Sequence, residues 1–524
     1  MSRDRFTKKE KSWIMYDWAN SVFATNIMAA IFPIVFVKLA GNAGDTWWGY
    51  ATSFSTLIVA VLAPALGAIA DYKGMKKKLF NCFVIIGIIF TALIAATNNW
   101  KFMLISYVIA QIGFSGGNLF YDSFLTDVTT NERMDKVSSW GYAMGYIGGS
   151  TIPFIISIAV ILKFGFDNPI AQKFSILITS LWWIVFTIPF IRNVHQEHYI
   201  DSDKIPSFFS IIKQTLNTAK SISKDRAMFL FIFAYFFYID GVNTVIKIST
   251  AYGSALGIGA VSMILALLLT QFVAMPFSIL FGRLAKRIST RRALIFAIAV
   301  YMLICFTGFV MGKHIEPHQE KLSPIVNAQR DIIVEQTTNS ITEQENIKNI
   351  ISAYVDKGMK LVKEVDILKL EEELKKYDFS KHELSESEKT LIAEIIPSVN
   401  ESIVKFHSEN TDTINEYQKA IRFSTTLFWA MAILVGTVQG GIQATSRSYF
   451  GKLIPKERSN EYFGFFDIFG KFSCVIGPAL YSLVKQLSGR SSYATLTLII
   501  LFLIGLITLV YSRKALDTLE KKNA

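Results

Sequence analysis

Apolar stretches of about 20 residues recur along almost the whole chain and are parted by short loops. A bilayer core about 30 Å thick asks for that length from every helix that crosses it. A soluble domain has no use for the same length again and again. The chain is therefore read as an all-α membrane protein. Its net charge of +12 raises the question of nucleic acid. The basic residues sit in loops between apolar spans, so membrane orientation accounts for them and no nucleic-acid partner is expected. The basic N-terminus leads into a long span holding Asp17 and Asn20, not a short apolar region with a small-residue cleavage site, so no cleaved signal peptide is expected. Cys82, Cys305 and Cys474 all fall inside spans and read as packing residues, without a disulfide or metal framework.

Twelve spans are expected, over 12–39, 46–70, 79–98, 101–126, 137–163, 172–192, 227–252, 258–282, 292–312, 422–446, 461–485 and 492–512. Lys and Arg crowd before the first span and after every even-numbered one, as in Lys76, Lys77 and Lys78 after the second or Arg283, Lys286 and Arg287 after the eighth. The positive-inside rule then places both termini in the cytoplasm of a bacterial plasma or inner membrane. Residues 1–193 and 227–312 with 422–524 read as two six-helix halves. Residues 194–226 join them; Phe208, Ile212, Leu216 and Ala219 share one helical face there, which suits a helix lying in the membrane interface, with a plain solvated linker as the alternative. Residues 313–421 are polar, acidic on balance and helical in pattern, with Ile347, Ile350, Ile351, Tyr354 and Val355 and then Leu361, Val365 and Leu368 at helical spacing. They read as a small extracytoplasmic helical insertion, open to a protein partner on that side.

The two halves are weakly alike. Tyr16-Asp-Trp-Ala-Asn-Ser-Val22 in the first span parallels Tyr238-Ile-Asp-Gly-Val-Asn-Thr-Val245 in the seventh, matching Asp17 to Asp240, Asn20 to Asn243 and Ser21 to Thr244. Gly67 to Lys78 after the second span parallels Gly282 to Arg292 after the eighth. Glu132, Arg133, Gly145 and Pro153 match Glu457, Arg458, Gly470 and Pro478 at a single offset. That offset exceeds the one between Gly67 and Gly282 by about the length of the polar insertion. Such internal symmetry is the sequence sign of a transporter built from two repeats.

Gly67-x-x-x-Asp71-x-x-Gly74-x-Lys76-Lys77 resembles the signature between the second and third helices of the major facilitator superfamily. Gly67 permits close helix approach, Gly74 a tight turn, and the charges a gate latch. In the second copy Lys286 stands where the Asp would be and Ser289 where the Gly would be, which leaves a matching latch there unsupported. With Tyr16 to Thr25, Tyr238 to Val245 and Gly440 to Phe472, the chain is similar to the vacuole effluxer family, a branch of that superfamily with fungal autophagy-related permeases and bacterial members. The resemblance covers all twelve spans but not the insertion. It implies two six-helix bundles, alternating access and, from the fungal members, amino acids as cargo.

An ionisable side chain in a span costs about 2.5 kcal/mol or more, so a functional role is its default reading. The resemblance implies that helices 1, 4, 7 and 10 line a central cavity, and the polar stripes fall on those spans. Asn20, Ser21, Asn118, Tyr121, Asn243, Thr244, Gln439 and Gln443 are the expected substrate-binding residues. Asp240, near mid-span, is the preferred proton-coupling group, with Asp17, Asp122 and Lys247 beside it as candidates. Asp17 reads equally as a helix cap, and Asp122 as a partner of Arg133 or Lys76. Arg447 reads as a snorkelling interfacial cation, with a gate residue as the alternative. No GxxxxGK[ST] loop, GxSxG elbow or zinc spacing occurs and no histidine sits in a span, so neither an enzyme nor a cofactor or metal is expected. The expectation is a secondary transporter coupling a small polar solute to protons; the alternative is a non-transporting sensor or scaffold whose insertion binds a partner.

Overall fold

The computed structural model describes residues 5–40, 44–164, 168–202, 208–338, 345–379, 384–473 and 475–523. Among these, the regular elements are helices, and twelve are long and apolar enough to cross a membrane. We number them spans 1 to 12: Lys8–Phe36, Trp47–Ala70, Met75–Ile94, Trp100–Val128, Met134–Ile161, Pro169–Asn193, Arg226–Ala255, Leu265–Ile288, Thr290–Thr338, Thr411–Leu453, Lys456–Ser488 and Ser491–Tyr511. Their starts are capped as the sequence permits. Thr7 and Glu10 form a capping box on span 1, and Asn99, Asn168 and Asp225 accept from first-turn amides of spans 4, 6 and 7. The outer surface is apolar: Val61, Ile85, Ile89, Leu181 and Ile507 are all exposed, as contact with lipid tails requires.

Spans 1 to 6 pack as one half and spans 7 to 12 as the other. The halves meet chiefly where the basic loops are. There span 2 runs along span 11, and span 5 along spans 8 and 10. Glycines allow this closeness: a Cβ at Gly67 would lie 2.4 Å from the carbonyl oxygen of Asn460, and one at Gly464 2.8 Å from that of Ala63. Near the middle of the first half, spans 1 and 5 each contain a π-helical segment, Phe23–Ala30 and Tyr146–Thr151, and the two touch. Such wide turns often mark functional regions of a helix.

The linker forms a helix, Phe208–Lys224, against spans 2 and 7. Its buried face carries Ile211, Thr218 and Ile222, whereas Leu216 of the expected face is 65% exposed. The stripe is rotated because the packed side serves protein and the other apolar side is free for lipid. The side chains of Phe208 and Ile212 lie outside the described residues, as does Cys474.

At the opposite end, spans 9 and 10 do not stop where their hydropathy does. One helix runs unbroken from Thr290 to Thr338 and another from Thr411 to Leu453. Helices Glu345–Glu364 and Glu386–Glu409 pack on these two extensions, and Ile367–Lys375 packs on both of those helices. Ile347, Ile351, Tyr354 and Val355 are buried in the resulting core, while Leu368 is 82% exposed. Buried Glu316 ties the base of the insertion to span 12, accepting from the backbone N–H of Ser492 at 2.8 Å and its hydroxyl at 2.6 Å.

Candidate functional site

Arg447, near the basic end of span 10, is 3% exposed, so it does not snorkel. Span 10 buries its last turns between the two halves, and the guanidinium crosses into the first. Its Nη1 donates to Asp122 Oδ1 at 2.8 Å, its Nε to the Ser138 hydroxyl at 3.0 Å, and its Nη2 to the Ser138 carbonyl at 3.1 Å. Asp17 Oδ2 lies 3.5 Å away and also accepts from the Tyr121 hydroxyl at 2.7 Å. The rings of Trp13 and Tyr142 face the guanidinium, with centroids at 4.7 and 4.5 Å. Asp122 pairs with neither expected cation: Arg133 binds Glu10, and Lys76 binds Asp127 at 2.6 Å. One buried cation thus holds two partly exposed carboxylates, leaving one negative charge in excess when both are ionised.

Two members of this cluster, Asp17 and Tyr142, reach a cavity of about 700 Å3 between the halves. Asp17, Ser21, Tyr142, Gln439 and Gln443 line its deep part, and Ile34, Phe154 and Leu267 its walls toward the insertion end. Gln443 and Tyr142 also line an adjoining polar chamber of about 260 Å3, with Asp122, Asn243, Arg447, Asp467 and Lys471 around it. Asp467 and Lys471, one turn apart on span 11, form an ion pair there. The sequence reading passed over both, although two ionisable residues four apart in a membrane span are a visible signal.

The expected binding residues separate into two sets. Ser21, Asn243, Gln439 and Gln443 line the cavity or the chamber. Asn20 and Asn118 instead bind each other at 2.5 Å inside the first half, and Tyr121 is buried on Asp17. Thr244 donates to Asp240 Oδ1 at 3.3 Å, and Asp240 Oδ2 accepts the backbone N–H of Gly477 at 2.8 Å. Both sit in the packing of span 7 on span 11, away from the walls of the cavity and the chamber. Lys247 is exposed and forms no ion pair with Asp240.

Two latches close the basic end, related by the internal repeat. In the first, Asp71 accepts from the backbone N–H and side-chain amide of Asn460 at 2.9 and 2.8 Å and from the Glu461 N–H at 3.1 Å. Ser123 donates to Asn460 Oδ1 at 2.5 Å. Burial pushes the Asp71 carboxyl up to about 7, against the pull of Lys76 and of the Asn460 and Glu461 donors. Lys76 is fully buried and reaches Ser459 across the interface at 3.3 Å; Lys77 caps the Val194 carbonyl at 2.5 Å; and Gly74 adopts the left-handed φ of +71° that its turn requires.

The second latch exists, contrary to the reading of its loop. Asp135, at the repeat position of Asn460, supplies the acid, accepting from Thr290 at 2.7 Å, Lys452 at 2.6 Å and Ser448 at 2.5 Å. Ser448 is the repeat partner of Ser123. The carboxylate has moved from the loop to the helix it meets, so Lys286 is free to stay exposed.

Comparison with known proteins shows the family and the fold. The family model described as "Vacuole effluxer Atg22 like" matches residues 45–317 and 424–518, leaving out most of the insertion. The MFS-type transporter YxiO of Bacillus subtilis (strain 168) is 38% identical, over 97% of this chain and 95% of its own length. A bacterial homologue of the iron transporter ferroportin, solved in an outward-facing state, superposes with a TM-score of 0.57 at 12% identity, covering 97% of this chain and 98% of that one. The major facilitator superfamily proton:xylose symporter XylE superposes with a TM-score of 0.51 at 9% identity, covering 97% and 94%.

Proposed function

We propose that this chain, which belongs to the vacuole effluxer Atg22-like family of major-facilitator-type membrane transporters, is a secondary active carrier that exchanges protons for a small polar solute. The observation that carries this reading is the triad in which buried Arg447 holds the partly exposed Asp122 and Asp17, one bordering the chamber and the other the cavity between the halves. The positive-inside rule assigns the latched end to the cytoplasm of a plasma membrane, with both termini there, so the cavity faces outward. Alternating access then requires Arg447 to leave its acids and both latches to part.

The excess negative charge gives the proton its role. A proton on Asp122 or Asp17 removes one partner of Arg447 and weakens the tie between halves. Solute arriving at Gln439, Gln443 and Asn243 can then draw the cluster apart. Asp122 and Asp17 are favoured over Asp240 because they border the cavity and the chamber, whereas both Asp240 oxygens are engaged in helix packing. The chamber sets a cation and an anion of each of two ion pairs around one space, which suits a zwitterion such as an amino acid.

Reconstitution into proteoliposomes with an imposed pH gradient tests this reading. Amino acids should be accumulated or expelled against their gradient, and Asp122→Asn should lose proton-driven flux while keeping solute counterflow. Flux indifferent to the pH gradient in the unaltered protein would refute the coupling.

A further inference from the structure

The polar side of the linker helix Phe208–Lys224 borders an open pocket of about 490 Å3 at the basic end of the molecule. Lys213, Gln214, Asn217 and Thr218 line it from the helix, and Arg458 lines it from the start of span 11. The acceptors of Gln214 and Thr218 are taken: Gln214 Oε1 accepts from the Tyr72 hydroxyl at 3.4 Å, and the Thr218 hydroxyl accepts from Arg458 Nη2. The same Nη2 donates to Glu461 Oε2 at 2.6 Å, which fixes the guanidinium. Its Nε and Nη1 have no hydrogen-bond partner among the described residues. Lys213 and Asn217 are exposed and have none either, and Lys213 forms no ion pair there. Glu461 is fully buried and cancels one of the two positive charges, leaving one over.

An ammonium and a guanidinium donate hydrogen bonds and accept none. Spare donors and a residual positive charge call for an anion, and phosphate oxygens suit an ammonium and a guanidinium alike. The other flank of the helix says where the phosphate comes from. Leu216 is 65% exposed, and Ala219 and Ile222 join Phe229, Phe233, Phe465 and Phe469 around an apolar groove of about 390 Å3. A helix with such a flank lies at the boundary of hydrocarbon and headgroups, so lipid phosphates stand level with its polar side. Anionic lipids gather at the cytoplasmic face, where the positive-inside rule places this end. We propose that the pocket binds the headgroup of an anionic phospholipid, with Lys213, Asn217 and Arg458 donating to its phosphate. Its volume lies within the range of about 300–1,000 Å3 common for small-molecule sites. The proposal needs the membrane and the orientation of the basic end, and it stands or falls apart from solute transport.

The test uses the purified full-length chain in a non-ionic detergent at one fixed salt concentration. Thermal-shift titration compares dihexanoyl phosphatidylglycerol, dihexanoyl phosphatidylcholine and glycerol 3-phosphate. Phosphatidylglycerol should bind at least about fivefold tighter than either of the others. Lys213→Gln should weaken phosphatidylglycerol by about fivefold, and Lys213→Glu should abolish its advantage over phosphatidylcholine. Lys213 is exposed, so both variants should fold. Lys220→Gln removes an equal charge from the same helix outside the pocket and should change binding by less than about twofold. Equal binding of the two lipids overturns the site. Glycerol 3-phosphate binding as tightly as phosphatidylglycerol makes the ligand a free phosphate and overturns the lipid assignment. A loss in Lys220→Gln as large as in Lys213→Gln gives the attraction to the charge of the whole helix and overturns the pocket.

Discussion

Arg447 and Asp122 face each other at 2.8 Å across the two halves, and they hold the same position in the two repeats. A duplication would begin with like residues at such a point. Here the copies have diverged to opposite charge, and only a closed basic end brings them together. Removing one member strands the other; because Asp122 is partly exposed, the cost falls below the about 3–5 kcal/mol of a fully buried pair. Arg447→Gln is therefore expected to destabilise the closed end, measured as faster labelling of cysteines placed along spans 4 and 10 by a cytoplasmic thiol reagent. In a double-mutant cycle with Asp122→Asn, the combined loss should fall well short of the sum of the single losses. Additive losses would mean that the two residues act independently.

The first latch should respond to pH. With the halves apart, the Asp71 carboxyl meets water and returns to about 3.9; with them closed it sits at about 7. The closed state therefore binds the proton more tightly. Its gain from that proton is full below about 3.9 and lost as pH rises through about 7. Closure should increase as the pH at the basic end is lowered from about 8 to about 6. Cysteine accessibility across that range is the measurement, and Asp71→Asn should flatten the response.

Much of this architecture is legible in the sequence because span length and basic loops are local signals. The motif from Gly67 to Lys77 is legible for the same reason: a tight turn and a close approach need particular residues at fixed spacing. What escapes is what depends on a distant partner. Arg447 lies near a span end and reads as interfacial until Ser138 and Asp122 enclose it. Asp135 becomes a latch only when Lys452 and Thr290 arrive from the other half. Hydropathy marks where lipid contact ends, not where a helix ends, so the helix from Thr290 to Thr338 outruns its apolar stretch.

Ser289 holds a strained backbone at φ 92° and ψ 148°, at the repeat position of Gly74. That region is close to exclusive to glycine, and a side chain there costs about 1–3 kcal/mol. Ser289→Gly should relieve most of this strain, losing only the weak 3.4 Å contact from the Arg292 N–H to the serine hydroxyl. A rise of about 1 kcal/mol in stability is expected, read as a higher melting temperature. No rise would mean that the hydroxyl contact matters more than the backbone.

The insertion has its own buried core and leaves the bundle through two continuous helices. Replacing residues 325–410 by a short linker keeps Glu316 and its bonds to Ser492. The shortened chain should fold and carry solute at a rate within about twofold of the parent, if the insertion serves a partner and not the cavity. Loss of flux with folding intact would instead make it part of the transport cycle.

The two repeat-related glycines should differ in what they tolerate. A Cβ at Gly67 would meet the backbone of Asn460, at 2.4 Å from its oxygen and 2.8 Å from its carbon. Backbone cannot step aside, so Gly67→Ala must push spans 2 and 11 apart. At Gly282 a Cβ would meet the Ser139 hydroxyl at 2.8 Å, its Cβ at 2.9 Å and the Asp135 carbonyl oxygen at 3.1 Å; a rotamer change moves only the hydroxyl, and the other two contacts, looser than those at Gly67, require a smaller shift of spans 5 and 8. Both contacts lie between the halves, so neither change disturbs the core of either bundle. Gly67→Ala should thus leave the melting temperature nearly unchanged while exposing cysteines at the basic end and slowing outward return in the cycle. Gly282→Ala should show the same effects weakly. Equal severity would mean that Ser139 is as immobile as backbone, and unfolding in either variant would mean that the two halves cannot stand apart.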